Sequence, residues 1–342
     1  MNDIFIRACF GKDVEYIPVW FMRQVGRYLP EYKKLRQKYS LFELIKNPEL
    51  SASLASYAVK FLNVDAAILF SDITIPLMSI GIEIEMIENF GPKIKDRKEA
   101  LEKIKNINSF NAKDHMPFLF EGIQKLKNYL NDQIPIIGFS AAPFTLISYL
   151  FEDGLSRDLT KTKIFMLNNN DEWKIIMKKI TYIIKRFLQE QINHGVNAIQ
   201  LFDSWVGALS REDYVNYVKD YTKEIFESLP NNIPKIHFSL NSNHLIQDFA
   251  ELNFDVLSID WRIGIFEAYI KANHRKSIQG NMDPVFAVVG GEIMENKLQK
   301  ILNESEQIRG YIFNLGHGVL KETPVDNLIR IVNIVHNKRQ KK

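Results

Sequence analysis

Two arginines four residues apart, Arg23 and Arg27, close the stretch Ile17-Pro18-Val19-Trp20-Phe21-Met22-Arg23-Gln24-Val25-Gly26-Arg27-Tyr28-Leu29-Pro30-Glu31-Tyr32, and Arg36 follows soon after. A guanidinium keeps its charge at any working pH and presents a planar fork of donors, which suits carboxylate or phosphate ligands. An apolar run that delivers such groups to its own end reads as a floor followed by a clamp. Solvated charges at a strand end are the plain alternative. The pair of arginines, with Gln24 around the Gly26 turn, favours an anion site.

Other groups with chemistry also follow apolar runs. Phe70-Ser71-Asp72-Ile73 places a carboxylate against apolar neighbours. There it is either a helix cap or a partly desolvated acid that takes ligand N–H groups or moves a proton. Gly138 to Tyr149 combines small residues, Pro143 and the start of a helix, so Tyr149 either points into a site or is a buried structural tyrosine. Ser204, in Phe202-Asp203-Ser204-Trp205, lacks the G-x-S-x-G turn of a nucleophile and reads as a hydrogen-bond donor. His317 lies between Gly316 and Gly318, where a tight, exposed backbone favours a functional imidazole over a core one. The remaining histidines show no metal-ligand spacing, and no glycine-rich phosphate loop occurs, so neither a metal nor a nucleotide cofactor is expected.

Composition narrows the class. The chain has 342 residues, of which 46% are hydrophobic and 12% aromatic, enough for a large core. Net charge is +3, with Lys338, Arg339, Lys341 and Lys342 in a basic C-terminal tail (337–342), so the body is near neutral and no nucleic-acid partner is expected. The lone Cys9 excludes an internal disulfide framework and fits a reducing compartment. No secretory pattern or apolar run of the roughly 18 residues needed to span a bilayer is present, so a cytoplasmic protein without a membrane partner is expected.

The elements that would position these groups recur along the chain. Short, near-continuously apolar runs occupy Val19 to Met22, Ala66 to Phe70, Ile134 to Phe139, Ala198 to Phe202, Lys235 to Phe238, Val256 to Ile259, Ser277 to Gln279 and Tyr311 to Asn314. Such runs are expected of parallel strands buried on both faces. Helical patterns lie between them, among them Pro48 to Leu62, Phe118 to Leu130, Glu172 to His194, Arg211 to Leu229 and Met294 to Ser305. The alternation predicts an α/β protein, a single (β/α)8 barrel domain over 1–342 with a short lead-in at 1–16. A small excursion, a hairpin, is expected around Ile82 to Met86 and Gly91-Pro92. Polar residues follow every run: Arg23 and Gln24, Ser71 and Asp72, Ser140, Asp203 and Ser204, Ser239 and Asn241, Asp260, Asn281, then Asn314 and His317. In barrels of this type the C-terminal strand ends form the active-site mouth. From the residues alone, this is a barrel enzyme with an arginine-lined site for a polyanionic substrate.

Pro18 to Tyr32 closely resembles the N-terminal signature of the uroporphyrinogen decarboxylase family, and Gly138 to Tyr149 resembles its second. Similar segments are Phe70 to Ile73, Leu201 to Trp205, Gln279 to Pro284 and Asn314 to Gly318, in family order over about residues 18–325. The resemblance implies a cofactor-free carboxy-lyase, usually a homodimer. It would remove CO2 from the four acetate arms of uroporphyrinogen III and give coproporphyrinogen III for haem synthesis. It implies Asp72 as the catalytic carboxylate. Arg23 and Arg27 would grip carboxylates, and Gln24, Val25, Gly26, Tyr149, Ser204 and His317 would contact substrate, with Arg36 and Phe42 as secondary candidates. Whether Arg23, Asp72 or water supplies the proton stays open. Departures are Val25 for a usual alanine, Ala141 for a usual glycine, Lys321 for a common proline, and Glu15-Tyr16-Ile17 for a charged run. A zinc-dependent methyltransferase of the same superfamily is disfavoured by the single cysteine. An inactive tetrapyrrole carrier is disfavoured by the presence of Asp72.

Overall fold

A computed structural model describes residues 3–87, 91–152, 156 and 158–338. The tail residues 339–342, part of the expected basic tail, lie outside the described residues.

The apolar runs become strands Ala67–Ile68 (β1), Ile136–Ala141 (β4), Ala198–Asp203 (β5), Lys235–Ser239 (β6), Val256–Ser258 (β7), Ser277–Met282 (β8) and Tyr311–Leu315 (β9). Ile84–Ile87 (β2) and Gly91–Ile94 (β3) form a separate antiparallel pair. Among the described residues the main sheet has seven strands, all parallel, in the order β1-β4-β5-β6-β7-β8-β9. Neighbours in that order are consecutive along the main chain path, so every crossover passes through helical segments. The expected hairpin is β2–β3, with Ile84 opposite Ile94 and Ile87 opposite Gly91. Strands β4, β6, β8 and β9 are buried at every position, as a sheet covered on both faces requires.

The first expected strand, Val19 to Met22, does not form as a regular strand. Val19 makes a single parallel bridge to Phe313 of β9. Trp20 N donates to Phe313 O, Phe313 N donates to Pro18 O, and on the other side Asp65 N donates to Val19 O. Pro18 has no N–H to extend the ladder, and the chain turns back where Gln24 N donates to Phe21 O. The segment therefore touches both β9 and the start of β1 through only a few bonds.

Helix signals in the sequence act where they stand. Asn47 caps Pro48–Leu62 by accepting from Glu49 N and Leu50 N, with Pro48 at the first helical position. Leu54, Ala55, Ala58, Val59 and Leu62 form its buried stripe, which packs against Pro117–Tyr129. Helix Asn170–Asn193 ends at His194 before Gly195, whose φ of +94° is available to glycine at little cost. The run expected as one helix over Arg211 to Leu229 is instead two, Arg211–Tyr217 and Lys219–Ser228, broken at Val218.

A buried polar string crosses the interior of the sheet. Trp20 Nε1 donates to Gln279 Oε1 at 2.8 Å, while Gln279 Nε2 donates to Gln200 Oε1 at 3.0 Å and to Ser258 Oγ at 2.8 Å. These four residues come from the first segment and from β8, β5 and β7. Buried amides hold position only when paired, so the string ties distant strands to one registry. No helix among the described residues is long and apolar enough to cross a membrane.

Candidate active site

The polar ring at the strand ends sorts into two kinds of residue. Most members are spent on holding the loops together. Ser140 Oγ donates to Ala141 O, Ser239 and Ser242 share a hydrogen bond of 2.6 Å, and Asn281 Nδ2 donates to Asp260 O and Ile263 O. Asn314 Oδ1 accepts from Met22 N, and Asp203 Oδ1 accepts from Thr145 Oγ1. Asp260 is buried and accepts from Asn241 N, Arg262 N and Arg262 Nη1. These side chains are struts.

The second kind is left open. Asp72 follows β1 and is half-buried. Its Oδ1 accepts from Thr74 N at 2.9 Å and from Thr74 Oγ1, while Oδ2 accepts nothing among the described residues. The local turn thus uses one carboxylate oxygen as a cap and aims the other elsewhere. Ser71 Oγ beside it is buried without a partner. Ser204 is partly exposed and makes no hydrogen bond among the described residues. Its loop is fastened by Thr145 Oγ1, which accepts from Trp205 N and donates to Asp203.

Arg23 has φ of 60°, a left-handed conformation that costs a non-glycine residue energy and tends to persist at functional sites. The reversal turns neighbouring side chains to opposite sides. Arg23 is exposed, whereas Gln24 is fully buried, its amide spanning Phe21 N and Ala66 O. The Gln24 side chain is therefore a structural brace, and Tyr28 Oη donates to its carbonyl at 2.6 Å. Val25 is buried at the edge of the core, and Gly26 fits because a Cβ there would lie 3.1 Å from Arg23 O.

Electrostatics show which groups share a space. Burial raises the Tyr149 phenol; the nearby Trp205 N–H draws it back without a hydrogen bond of normal geometry, Asp72 pushes it up and Arg23 pulls it down. The Tyr149 and Trp205 rings meet edge-on with centroids 5.9 Å apart. Burial first, then the charges of Arg23 and Arg262, hold the His317 imidazole down to about 4 against the opposing charge of Asp260. His317 is thus neutral at physiological pH. It also sits edge-on to Phe238 of β6 at 6.2 Å.

Arg23, Asp72, Tyr149, Trp205 and His317 therefore lie near one another. Arg27 and Arg36 stand apart from that group, beside Tyr32, whose burial-raised phenol both of them lower. Tyr32 packs edge-on against Phe70, just after β1, with 5.9 Å between centroids. Arg36 Nη1 donates to Tyr39 O, and Phe42 packs partly buried against the core. Arg262 also acts on His317. It follows the strand-end Asp260 by two residues. Among the described residues no group of three or more His, Cys, Asp or Glu could hold a metal ion.

Comparison with known proteins bears on this arrangement. The solved structure of a methyltransferase from Methanosarcina mazei superposes with a TM-score of 0.73 at 20% identity, covering 96% of this chain and 95% of that one. A putative vitamin-B12 independent methionine synthase from Listeria monocytogenes gives 0.60 at 13% identity, over 95% and 96% of the two chains. At such identities the likeness is one of fold. The chain is 43% identical to a uroporphyrinogen decarboxylase of Thermodesulfovibrio yellowstonii, over 98% of both sequences. It is 41% identical to that of Bacillus subtilis, over 100% of this chain and 96% of the relative. The pattern "Uroporphyrinogen decarboxylase (URO-D)" matches residues 1–338. On these matches over nearly its whole length, this chain belongs to the uroporphyrinogen decarboxylase family.

Proposed function

We propose that this protein is a uroporphyrinogen decarboxylase, a cofactor-free carboxy-lyase that converts the four acetate arms of uroporphyrinogen III to methyl groups. The observation that carries the reading is Asp72, whose Oδ1 is fixed by Thr74 while Oδ2 stays open in a half-buried site. The chain reads as one domain, a (β/α)8 barrel in which residues 18–20 act as the eighth stave between β9 and β1. The bonds to Phe313 and Asp65 support this closure. It works on a soluble tetrapyrrole as a homodimer in the cytoplasm.

Direct loss of CO2 from an acetate arm would strand an electron pair on carbon. Protonation of the ring carbon next to the one bearing the arm turns the pyrrole into a cation that can receive that pair. The C–C bond then breaks toward the ring, CO2 departs and an exocyclic methylene remains. A second proton converts the methylene to methyl, and the ring carbon returns its proton. Asp72 Oδ2 accepts the pyrrole N–H groups and stabilises the cation by fixed negative charge, the kind of preorganised electrostatics that dominates many active sites. Arg23 holds an arm near the reacting ring, and Arg27 and Arg36 hold arms at the rim. Tyr149, Ser204 and the neutral His317 contribute hydrogen bonds without carrying net charge.

A thiol- or corrinoid-dependent methyl transfer, suggested by fold likeness, is disfavoured by where the thiol lies. Cys9 is buried, and Ser277 Oγ at the start of β8 donates to its carbonyl, which is the end of the sheet away from Asp72. An anaerobic assay with uroporphyrinogen III tests the proposal. Coproporphyrinogen is expected from the wild type and almost none from Asp72→Asn. A wild type that forms no coproporphyrinogen, or an Asp72→Asn enzyme of full activity, would sink it. Light scattering at assay concentration tests the dimer.

A further inference from the structure

The turn that carries His317 is wedged between two arginine-bearing segments. A Cβ on Gly318 would lie 2.7 Å from Arg23 Cγ, so Arg23 lies directly over that glycine. A Cβ on Gly316 would lie 2.8 Å from Trp261 N and 2.9 Å from the Trp261 ring, so the segment that follows β7 presses on the other side. The Arg262 guanidinium stacks on that same Trp261 ring at 4.5 Å from its centroid. Gly316, Trp261 and Arg262 therefore form a layered stack that fixes the guanidinium beside the histidine turn, across from Arg23.

Arg262 also holds the buried Asp260 through Nη1 at 2.8 Å, so a purely structural counter-ion is the competing explanation. Two observations weigh against it. Asp260 already accepts from Asn241 N and Arg262 N. Meanwhile the Arg262 side chain is 41% exposed, and Nε and Nη2 donate to no protein group among the described residues. One N–H is spent on orientation and the rest of the fork stays free, as suits an arm that must not collapse when its ligand leaves.

We infer that Arg262 is a further substrate-binding residue, gripping a carboxylate arm on the β7 side of the mouth so that His317 lies between two carboxylate-binding arginines. This inference rests on the decarboxylase reading. It adds an anion contact opposite the Arg23–Arg27 rim, where a large, ring-shaped polycarboxylate would otherwise lie unheld. The lowering of His317 by both Arg23 and Arg262 agrees with their closeness to it.

The test is steady-state kinetics with uroporphyrinogen III on wild type, Arg262→Gln and Arg262→Lys, alongside thermal melts. Arg262→Gln is expected to raise KM about tenfold, the worth of one charge-assisted contact, with kcat within about twofold. Arg262→Lys should recover part of the KM, because the charge remains while the stacked fork is lost. Wild-type KM should rise with ionic strength more steeply than that of Arg262→Gln. An active wild type whose KM and salt response are unchanged in Arg262→Gln overturns the Arg262 contact alone. So does a lowered melting temperature with unchanged KM in both variants, which would mark Arg262 as no more than the counter-ion of Asp260. An inactive wild type overturns the decarboxylase reading instead.

Discussion

The two ends of the parallel sheet treat charge in opposite ways. At the end where the strands begin, ionisable groups are buried and paired. Asp65 accepts from Tyr16 Oη, Val19 N and His336 Nε2; Lys235 Nζ donates to Phe226 O and Asn231 Oδ1; Lys276 Nζ donates to Leu252 O and Phe254 O at 2.7 Å each. Asp255 accepts from Lys235 N. At the end where the strands finish, Asp72 Oδ2, Ser204 and His317 have no hydrogen-bond partner among the described residues, and Ser71 Oγ, Trp205 Nε1 and Asn314 Nδ2 are buried without one. A folded chain normally satisfies buried polar groups, so open groups beside the paired ones at the strand ends leave contacts that a ligand could complete.

That division is broken or sharpened most sharply by one substitution at each end. Asp72→Asn keeps the shape and the Thr74 contact but removes the charge proposed to face the reacting ring. The expected fall in kcat is about 10²- to 10³-fold, as for deletion of one preorganised electrostatic group, with an unchanged melting temperature. Asp65→Ala does the reverse. It strips Val19 N, Tyr16 and His336 of their common acceptor and loosens the bridge between residues 18–20 and the rest of the sheet. Denaturant unfolding should show a loss of about 3 kcal/mol, while kcat/KM per folded molecule stays near that of the wild type. If Asp65→Ala lowers kcat as much as Asp72→Asn does, the two ends are not separable.

A smaller effect is expected from Gly318→Ala. The added methyl would lie 2.7 Å from Arg23 Cγ and nearer still to Cδ, so it must push the guanidinium off the histidine turn. The backbone there needs no left-handed conformation, and the turn can keep its shape. KM should rise about tenfold, the worth of one displaced charge-assisted contact, with little loss of stability. A wild-type KM would mean that Arg23 reaches substrate from a different rotamer, or not at all.

Reading the sequence identified the sheet because its strands are buried on both faces, and near-continuous apolar runs record that directly. It failed at Val19 to Met22, where composition is strand-like but Pro18 and the turn at Phe21 leave only a bridge. The ring of polar strand ends was legible as a ring. Its division into struts and open groups was not, because it depends on pairs far apart in the chain, such as Met22 N with Asn314 Oδ1. Gln24 shows the limit most clearly. Beside two arginines it reads as part of the clamp, yet the positive φ of Arg23 sends its side chain inward to Ala66 O. A sequence carries no mark of that reversal. The placement of Arg262 was illegible for the converse reason, since it comes from stacking on Trp261 beside a turn more than fifty residues on.

The smallest expected effect at neutral pH belongs to His317, and it distinguishes a hydrogen-bonding imidazole from a proton carrier. The folded protein holds this histidine down to about 4, against an ordinary value near 6.5, because of burial and the neighbouring charges of Arg23 and Arg262, which Asp260 only partly offsets. The unfolded chain therefore takes up a proton below about pH 6.5 that the folded chain refuses until about pH 4. The stability associated with neutral His317 is complete above pH 6.5 and is lost as pH falls toward 4, by at most about 3 kcal/mol. His317→Gln keeps a neutral donor and acceptor but cannot titrate, so the acid limb of its stability profile should be flatter than that of the wild type. At pH 7 its kcat should stay within about threefold, since the imidazole it replaces is uncharged there. General acid–base catalysis is worth about 10²- to 10⁴-fold, so a hundredfold loss of kcat in His317→Gln would show that the imidazole moves a proton after all.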